Sequence, residues 1–514
     1  MNVRTSRAFP ALTAIAALAL FSALHARAAE AQAQTRIEPL GVFDGHGDIG
    51  TVLHAGTARY DAAAGTYTVT GSGENMWFGT DDFHFVWKKV SGDVAISADI
   101  TFEGSQGNNH RKAVLMIRQS LDGNSPAVDV ARHGDGLTSL QFRLTPGEDD
   151  HEVQSNLTAP VRVRLEKRGD FFYAFVTGKD GKLHPSGASI KLPLSGEFYV
   201  GIGVCAHDKD ATQTARFSRV KIEALPAAGD AKPILWSTLE TVPIASTDRQ
   251  VAYVAQAHFE APNWSRDGSF FLFNQGGGIY KLAVGGDTPE RISTGAQVQC
   301  NNDHGISPDG TMIAISDSTQ LKSSQVYTLP ITGGTPKQIT QNAPSYWHGW
   351  SPDGSTLAFT GQRGDNFDIY TIPVAGGEEK RLTTAPGLDD GPEYSPDGAW
   401  IYFNSERTGH MQIWRMHSDG GSQEQVIMSE TNDWFPHISP DGKSMVYVSF
   451  EKGVIGHPPN KDVTLNVMTL ADKKVKVLAH LFGGQGTMNV PSWSPDSTKI
   501  AFVSYELLTD EPRD

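Results

Sequence analysis

The sequence predicts an all-β protein, an N-terminal two-sheet β-sandwich followed by a six-bladed β-propeller. Three observations predict it. A Ser-Pro-Asp-Gly turn occurs four times in the C-terminal half and twice more as Ser-Arg-Asp-Gly and Ser-Pro-Asp-Ser, turn-forming Gly and Pro are scattered along the chain, and no stretch beyond the first 28 residues reads as a long amphipathic helix. With 514 residues, 39% hydrophobic and 20% charged, the chain is too long for one ordinary domain and too apolar for disorder. Its 53 Gly and 28 Pro show no collagen period, which leaves many short strands as the reading. The 2 Cys, Cys205 and Cys300, exclude a disulfide scaffold and a multi-Cys metal site, and are expected to be buried, inert thiols.

Residues 1–28 read as an export signal. Arg4 and Arg7 form a basic start, Ala11 to Leu24 is apolar, and Ala26-Arg27-Ala28 fits a small-x-small cleavage site. The apolar run is short for a membrane span and no later segment approaches one, so a soluble periplasmic or secreted product without a transmembrane segment is expected. No Cys near the cleavage point suggests a lipid anchor. Removing three Arg takes the formal net charge from −15 to −18, a poor match for nucleic acid or anionic lipid.

Residues 36–225 alternate as strands, as in Ala95-Ile96-Ser97-Ala98-Asp99-Ile100 and Val161-Arg162-Val163-Arg164-Leu165, separated by Gly-Asp and Asp-Gly turns. Strands of that spacing suggest two packed sheets. The Pro-, Ala- and Gly-rich residues 226–232 read as a linker.

The repeats occupy residues 233–507. Their motif serines are Ser265, Ser307, Ser351, Ser395, Ser439 and Ser494, spaced 42, 44, 44, 44 and 55 residues apart. That is the period of four-stranded propeller blades. Pro presets the first central position of the turn, Asp bonds the backbone that follows, and Gly accepts a positive φ. The last unit has only two strands, so the missing pair is expected from 234–244 and 250–255, closing the ring and covering its edge.

These residues resemble the TolB-like propeller family, whose blades share the Ser-Pro-Asp-Gly turn, a Pro-x-Trp/Phe lead-in and a Gly-Gly hairpin such as Gly376-Gly377. The resemblance implies the fold, while function ranges over protein docking, peptidase gating and polysaccharide cleavage. Phe83-His84-Phe85-Val86-Trp87, Leu115-Met116-Ile117-Arg118 and Tyr173-Ala174-Phe175 resemble a concanavalin-like sandwich family often joined to secreted glycan-active proteins.

Propeller ligands bind where loops of several blades meet at the channel mouth. Three residues before the motif Ser, His304 and His348 replace the Pro found in the other blades. One position nearer the Ser lie Glu393 and His437. These four are the candidate catalytic residues, with His304, His348 and His437 as candidate ligands of a divalent metal ion. Asp303, Tyr346, Trp347, Asp390, Asp433 and Trp434 are candidate ligand-binding residues, the aromatics offering a stacking surface for a sugar. Related secreted propellers that cleave acidic oligosaccharides by β-elimination are similar in placing His near the mouth, which implies metal-assisted proton abstraction from a uronate. Side chains alternate faces along a strand, so the four converge only if the inner strands break phase. Otherwise Asp and Asn before Pro cap turns, and His beside an aromatic is core.

Ser405-Glu406-Arg407 reads as an ion pair on the opposite rim. His110-Arg111, Arg132-His133-Gly134-Asp135 and Cys205-Ala206-His207-Asp208 read as polar turns able to hold a sugar hydroxyl. No Gly-x-Ser-x-Gly elbow or phosphate-cradling loop is present, which argues against an α/β-hydrolase and an NTPase. Two functions stand. One is an exported carbohydrate-binding or carbohydrate-active protein whose partner is a glycan. The other is a non-catalytic TolB-like module docking a cell-envelope protein.

Overall fold

The computed structural model describes residues 39–226 and 232–508; the expected export signal and most of the expected linker lie outside the described residues. Among the described residues all regular elements are β-strands. Toward the N-terminus, a seven-stranded antiparallel sheet faces the first seven strands of a ten-stranded sheet. Alternation built this arrangement. Ile96, Ile100, Val163, Leu165 and Phe217 on one sheet meet Val86, Leu115, Val128, Val130 and Ile202 on the other in a single apolar core. The opposite face of the second sheet carries a smaller apolar cluster of Phe83, Phe85, Trp87, Val114 and Met116 and buries charge beside it, where Arg143 bonds Asp81 at 2.8 Å and Asp150 at 2.5 Å.

Five four-stranded sheets follow, with inner strands Phe259–Trp264, Cys300–Ile306, Ser345–Trp350, Asp389–Tyr394 and Asn432–Ile438. Each sheet is a propeller blade, and the motif explains its inner turn. In the fourth blade Ser395 Oγ donates to Asp397 Oδ1 at 2.6 Å and accepts from the Trp400 N–H at 3.0 Å, while Asp397 accepts from the Ala399 N–H at 3.0 Å. Gly398 sits at φ +71°, where a β-carbon would be strained. In the last motif Ser497 takes that left-handed position at φ +62°, and its Oγ accepts a hydrogen bond from the Asp441 N–H at 3.0 Å, a link to the preceding blade that Gly cannot make.

The remaining propeller strands do not form a separate four-stranded sheet. Lys499–Leu508 pairs with Ile234–Pro243, which pairs with Arg249–Ala255. The edge strand then runs parallel to His151–Gln154, joining all three to the ten-stranded sheet of the N-terminal half. Trp493 adds an isolated bridge to Ile500 on the inner side. The antiparallel pairings follow the sequence expectation but the parallel seam does not, because nothing in either strand's alternation encodes its partner across about 96 residues of separation.

Candidate functional site: the strand-start mouth of the propeller channel

The inner strands do break phase. Each carries a register shift, between Glu260 and Asn263, Cys300 and His304, Trp347 and Gly349, Asp390 and Glu393, and Trp434 and His437. In three blades the residue before the lead-in Pro is left-handed: Ala261 at φ +56°, Gly391 at +63° and Phe435 at +55°. Pro bars its predecessor from the right-handed helical region and donates no ladder bond, so a bulge there is inexpensive. His304 and His348 replace that Pro, and the residues before them, Asp303 and Trp347, do not adopt a positive φ. The blades with His therefore bulge differently from those with Pro.

The consequence is three separate environments. At the mouth where the inner strands begin, His348 Nε2 lies 3.3 Å from Asp390 Oδ1. Its ring stacks on Phe435 with centroids 6.4 Å apart. Burial pulls the His348 pKa down, but Asp303 and Asp390 outweigh it and the net shift is upward. Burial likewise opposes ionisation of Asp390, yet His348 and His457 hold its carboxyl below the usual range. Asp303, buried and bonded by Asn301 Nδ2 at 2.6 Å, is pushed up to about 6 by burial, with His348 opposing. Tyr346 stands half-buried beside both carboxylates.

A second environment lies deeper. His437 Nδ1 bonds Glu393 Oε2, and Glu393 Oε1 accepts the Ile438 N–H at 3.2 Å. Asn263 does the same work in the first blade, its Oδ1 accepting the Ile306 N–H at 3.1 Å. Both residues stand two before the motif Ser, so Glu393 is first a latch to the next blade.

His304 forms the third. It is fully buried, and burial pushes its pKa down to about 4, with the Asn302 and Leu272 backbone opposing. The structure thus does not gather His304, His348 and His437 as ligands of one ion. Among the described residues no group of three His, Cys, Asp or Glu has an arrangement that would hold a metal, so the donors do not fit the expected divalent ion.

The stacking surface also differs from expectation. Trp347 and Trp434 are 1% and 0% exposed and are wedged between blades, Trp347 against Gly305. Asp433 turns away from the mouth to accept from Ser429, Thr431 and Ser449 hydroxyls. Only Asp303, Tyr346, His348 and Asp390 of the ten sequence candidates share the mouth.

His457 is the residue sequence reading missed. Its Nε2 is 3.9 Å from Asp390 Oδ2, its ring lies 4.4 Å from Trp434 and 5.1 Å from Phe435, and its Nδ1 meets Gln485. Its loop, residues 451–458, is little longer than the matching loops 318–324 and 406–411, and the 55-residue last spacing is taken up mostly by the longer strands Pro459–Thr469 and Val475–Gly484, so no repeat signal marked it.

The other motifs resolve more simply. Arg407 pairs with Asp389 at 2.9 Å, not with its neighbour Glu406. Cys205 and Cys300 are free and buried, both thiols pushed up by burial, Cys205 to about 11. His110, His133 and His207 gather, with ring centroids 5.9 and 5.6 Å apart, and burial with Lys112 pushes His133 down to about 3.

Radially arranged four-stranded sheets around a shared axis define a β-propeller protein. Residues 341–506 match the family described as the TolB β-propeller domain. An uncharacterized protein of Agrobacterium fabrum (strain C58 / ATCC 33970) is 50% identical over 270 residues, 52% of this chain and 92% of that protein. A solved structure from Agrobacterium tumefaciens, described as a TolB candidate, is 49% identical with a TM-score of 0.52, covering 54% of this chain and 99% of that one. TolB from Acinetobacter baumannii is similar at 17% identity and a TM-score of 0.39, over 56% of this chain and 77% of its own. The chain belongs to the TolB-like β-propeller family.

Proposed function

We propose that this chain is an exported, carbohydrate-binding TolB-like propeller whose glycan site is the strand-start mouth. The observation that carries the reading is the buried His348–Asp390 pair with Asp303 beside it, where a carboxyl near 6 adjoins a His raised above its ordinary value. Buried groups displaced toward neutrality suit proton exchange with a bound hydroxyl or an acidic α-carbon. Tyr346, half-buried, supplies the ring face that the buried Trp347 and Trp434 do not. On this reading the strands Lys499–Leu508, Ile234–Pro243 and Arg249–Ala255, with the Trp493 bridge, count as a sixth blade. The N-terminal half is a concanavalin-like sandwich that grips the same polymer. The address is the periplasm or the medium; no helix among the described residues is long and apolar enough to cross a membrane.

A glycan panel with binding and cleavage readouts, run on wild type, His348→Ala and Asp390→Asn, tests this. Binding that both variants lose supports the site; binding that neither variant alters removes it. The second reading is a docking module for an envelope protein. It is favoured by the burial of Trp347 and Trp434 and by the latch role of Glu393. Under it the panel shows no ligand.

A further inference from the structure

The turn-side mouth of the channel departs from its own repeat. In four of the first five motifs the residue after Ser is Pro, as in Pro308, Pro352, Pro396 and Pro440; in the first blade it is Arg266. Those prolines line a cavity of about 240 Å³ together with Arg266, Trp264, Trp350, Tyr394 and Trp493. The indoles are fixed from behind. Trp350 Nε1 donates to the Gly305 carbonyl at 3.1 Å and Trp493 Nε1 to the His437 carbonyl at 2.9 Å, each reaching the preceding blade.

Arg266 is the cation of this wall without a carboxylate partner among the described residues. It reaches the carbonyls of Ile306 at 3.1 Å and Ser307 at 3.3 Å, and among the described residues no carboxylate comes within ion-pair distance of it. Glu393, the acid lining this cavity, already has both oxygens engaged by His437 and Ile438. Arg266 remains exposed to solvent while enclosed by the cavity wall. Burial lowers its pKa from the ordinary Arg value, with Glu393 opposing, and leaves it charged.

We infer that this mouth is a second binding site, taking a carboxylate-bearing sugar ring about one residue in size, with the carboxylate on Arg266 and the ring against Trp350, Trp493 and Tyr394. The volume falls below the roughly 300–1,000 Å³ of drug-sized sites, which restricts the ligand to a single ring. An Arg guanidinium holds a carboxylate through paired charge-assisted bonds, while aromatic faces hold the apolar face of a sugar. The choice of a sugar ring rests on the glycan reading above; the choice of a carboxylate rests on Arg266 alone.

Calorimetric titration with glucuronate and with glucose separates the two. Wild type is expected to bind glucuronate at least about tenfold more tightly, as one charge-assisted contact implies. Arg266→Pro installs the residue the neighbouring motifs use and abolishes that preference, with Arg266→Gln as the second variant should the first lower the Tm. Loss of panel binding in His348→Ala reports on the strand-start site and loss of the glucuronate preference in the Arg266 variants reports on this one, so the two failures are distinguishable. Equal affinity for glucose and glucuronate, or a preference that survives both Arg266 variants, overturns the site. Benzoate bound as tightly as glucuronate through Arg266 overturns the sugar class.

Discussion

Burial alone would strip the proton from His348 near neutrality, yet two carboxylates reverse the outcome. The group's folded pKa is raised, so its contribution to stability is complete below the unfolded value of about 6.5 and fades as pH rises through the folded value. Asp390 runs the other way: its carboxyl is depressed, so its contribution holds above about 3.8 and fades as pH falls through the folded value. The pair is intact between those limits. An NMR titration of His348 is expected to give a pKa above that of a free His, falling in Asp390→Asn, where Asp303 alone of the two carboxylates still opposes burial. An unchanged value in the variant would show that Asp390 is not the partner. The identity of these two residues was legible in the sequence, because a His standing where sister blades keep Pro is visible by comparing repeats. Their partnership was not, since it joins neighbouring blades across different offsets from the motif.

The inner strand is the element where expectation and structure part most. Alternation placed His304 with His348, and Glu393 with His437; the bulges in all five inner strands undid the first grouping and gave the second a different meaning. Glu393 and Asn263 hold the same offset and receive the same N–H from the next blade, which marks a latch repeated around the ring. Truncating Glu393 leaves the Ile438 N–H and the His437 ring without their partner in a buried setting, a loss of roughly 1–3 kcal/mol. Urea unfolding of Glu393→Ala should show that drop, while Glu393→Gln, which keeps an acceptor for Ile438, loses less. A Glu393→Ala protein as stable as wild type would instead return Glu393 to the list of groups held for chemistry. The turns themselves were fully readable, because their Ser, Asp and Gly act within six consecutive residues. The loop bearing His457 was not, because it differs little in length from the matching loops 318–324 and 406–411 and carries no repeat motif.

At the scale of the whole molecule, the two halves share a buried polar seam. The strand Arg249–Ala255 runs beside His151–Gln154, Gln250 Nε2 donates to Gln154 Oε1 at 3.0 Å, and Thr247 Oγ1 meets His151 Nδ1 at 2.6 Å. Beneath it, Glu240, Thr238, Ser504 and Glu506 line one side of the last propeller sheet, the side away from the apolar cluster of Leu239, Val503 and Tyr505. On that side Val242, Ile500 and Phe502 pack against the fifth blade, and the polar residues are buried as well, with Gly187 of the N-terminal half against Thr238. Arg249 lies 3.5 Å from Glu240, and Ser504 donates to Glu240 as well, but both carboxyl oxygens of Glu506 lack a partner. Burial, with Glu240 adding repulsion, pushes Glu506 up to about 8. The native state therefore holds a proton that the unfolded chain releases near pH 4.5, and stability falls as pH rises from there to about 8, by at most roughly 1.4 kcal/mol for each pH step of one. Glu506→Gln keeps the shape of the protonated acid and removes the titration. Denaturant melts at pH 5 and pH 9 should find the two proteins alike at the lower pH and the variant more stable by a few kcal/mol at the higher. Parallel losses in both proteins between those pH values would place the titrating group elsewhere than this seam.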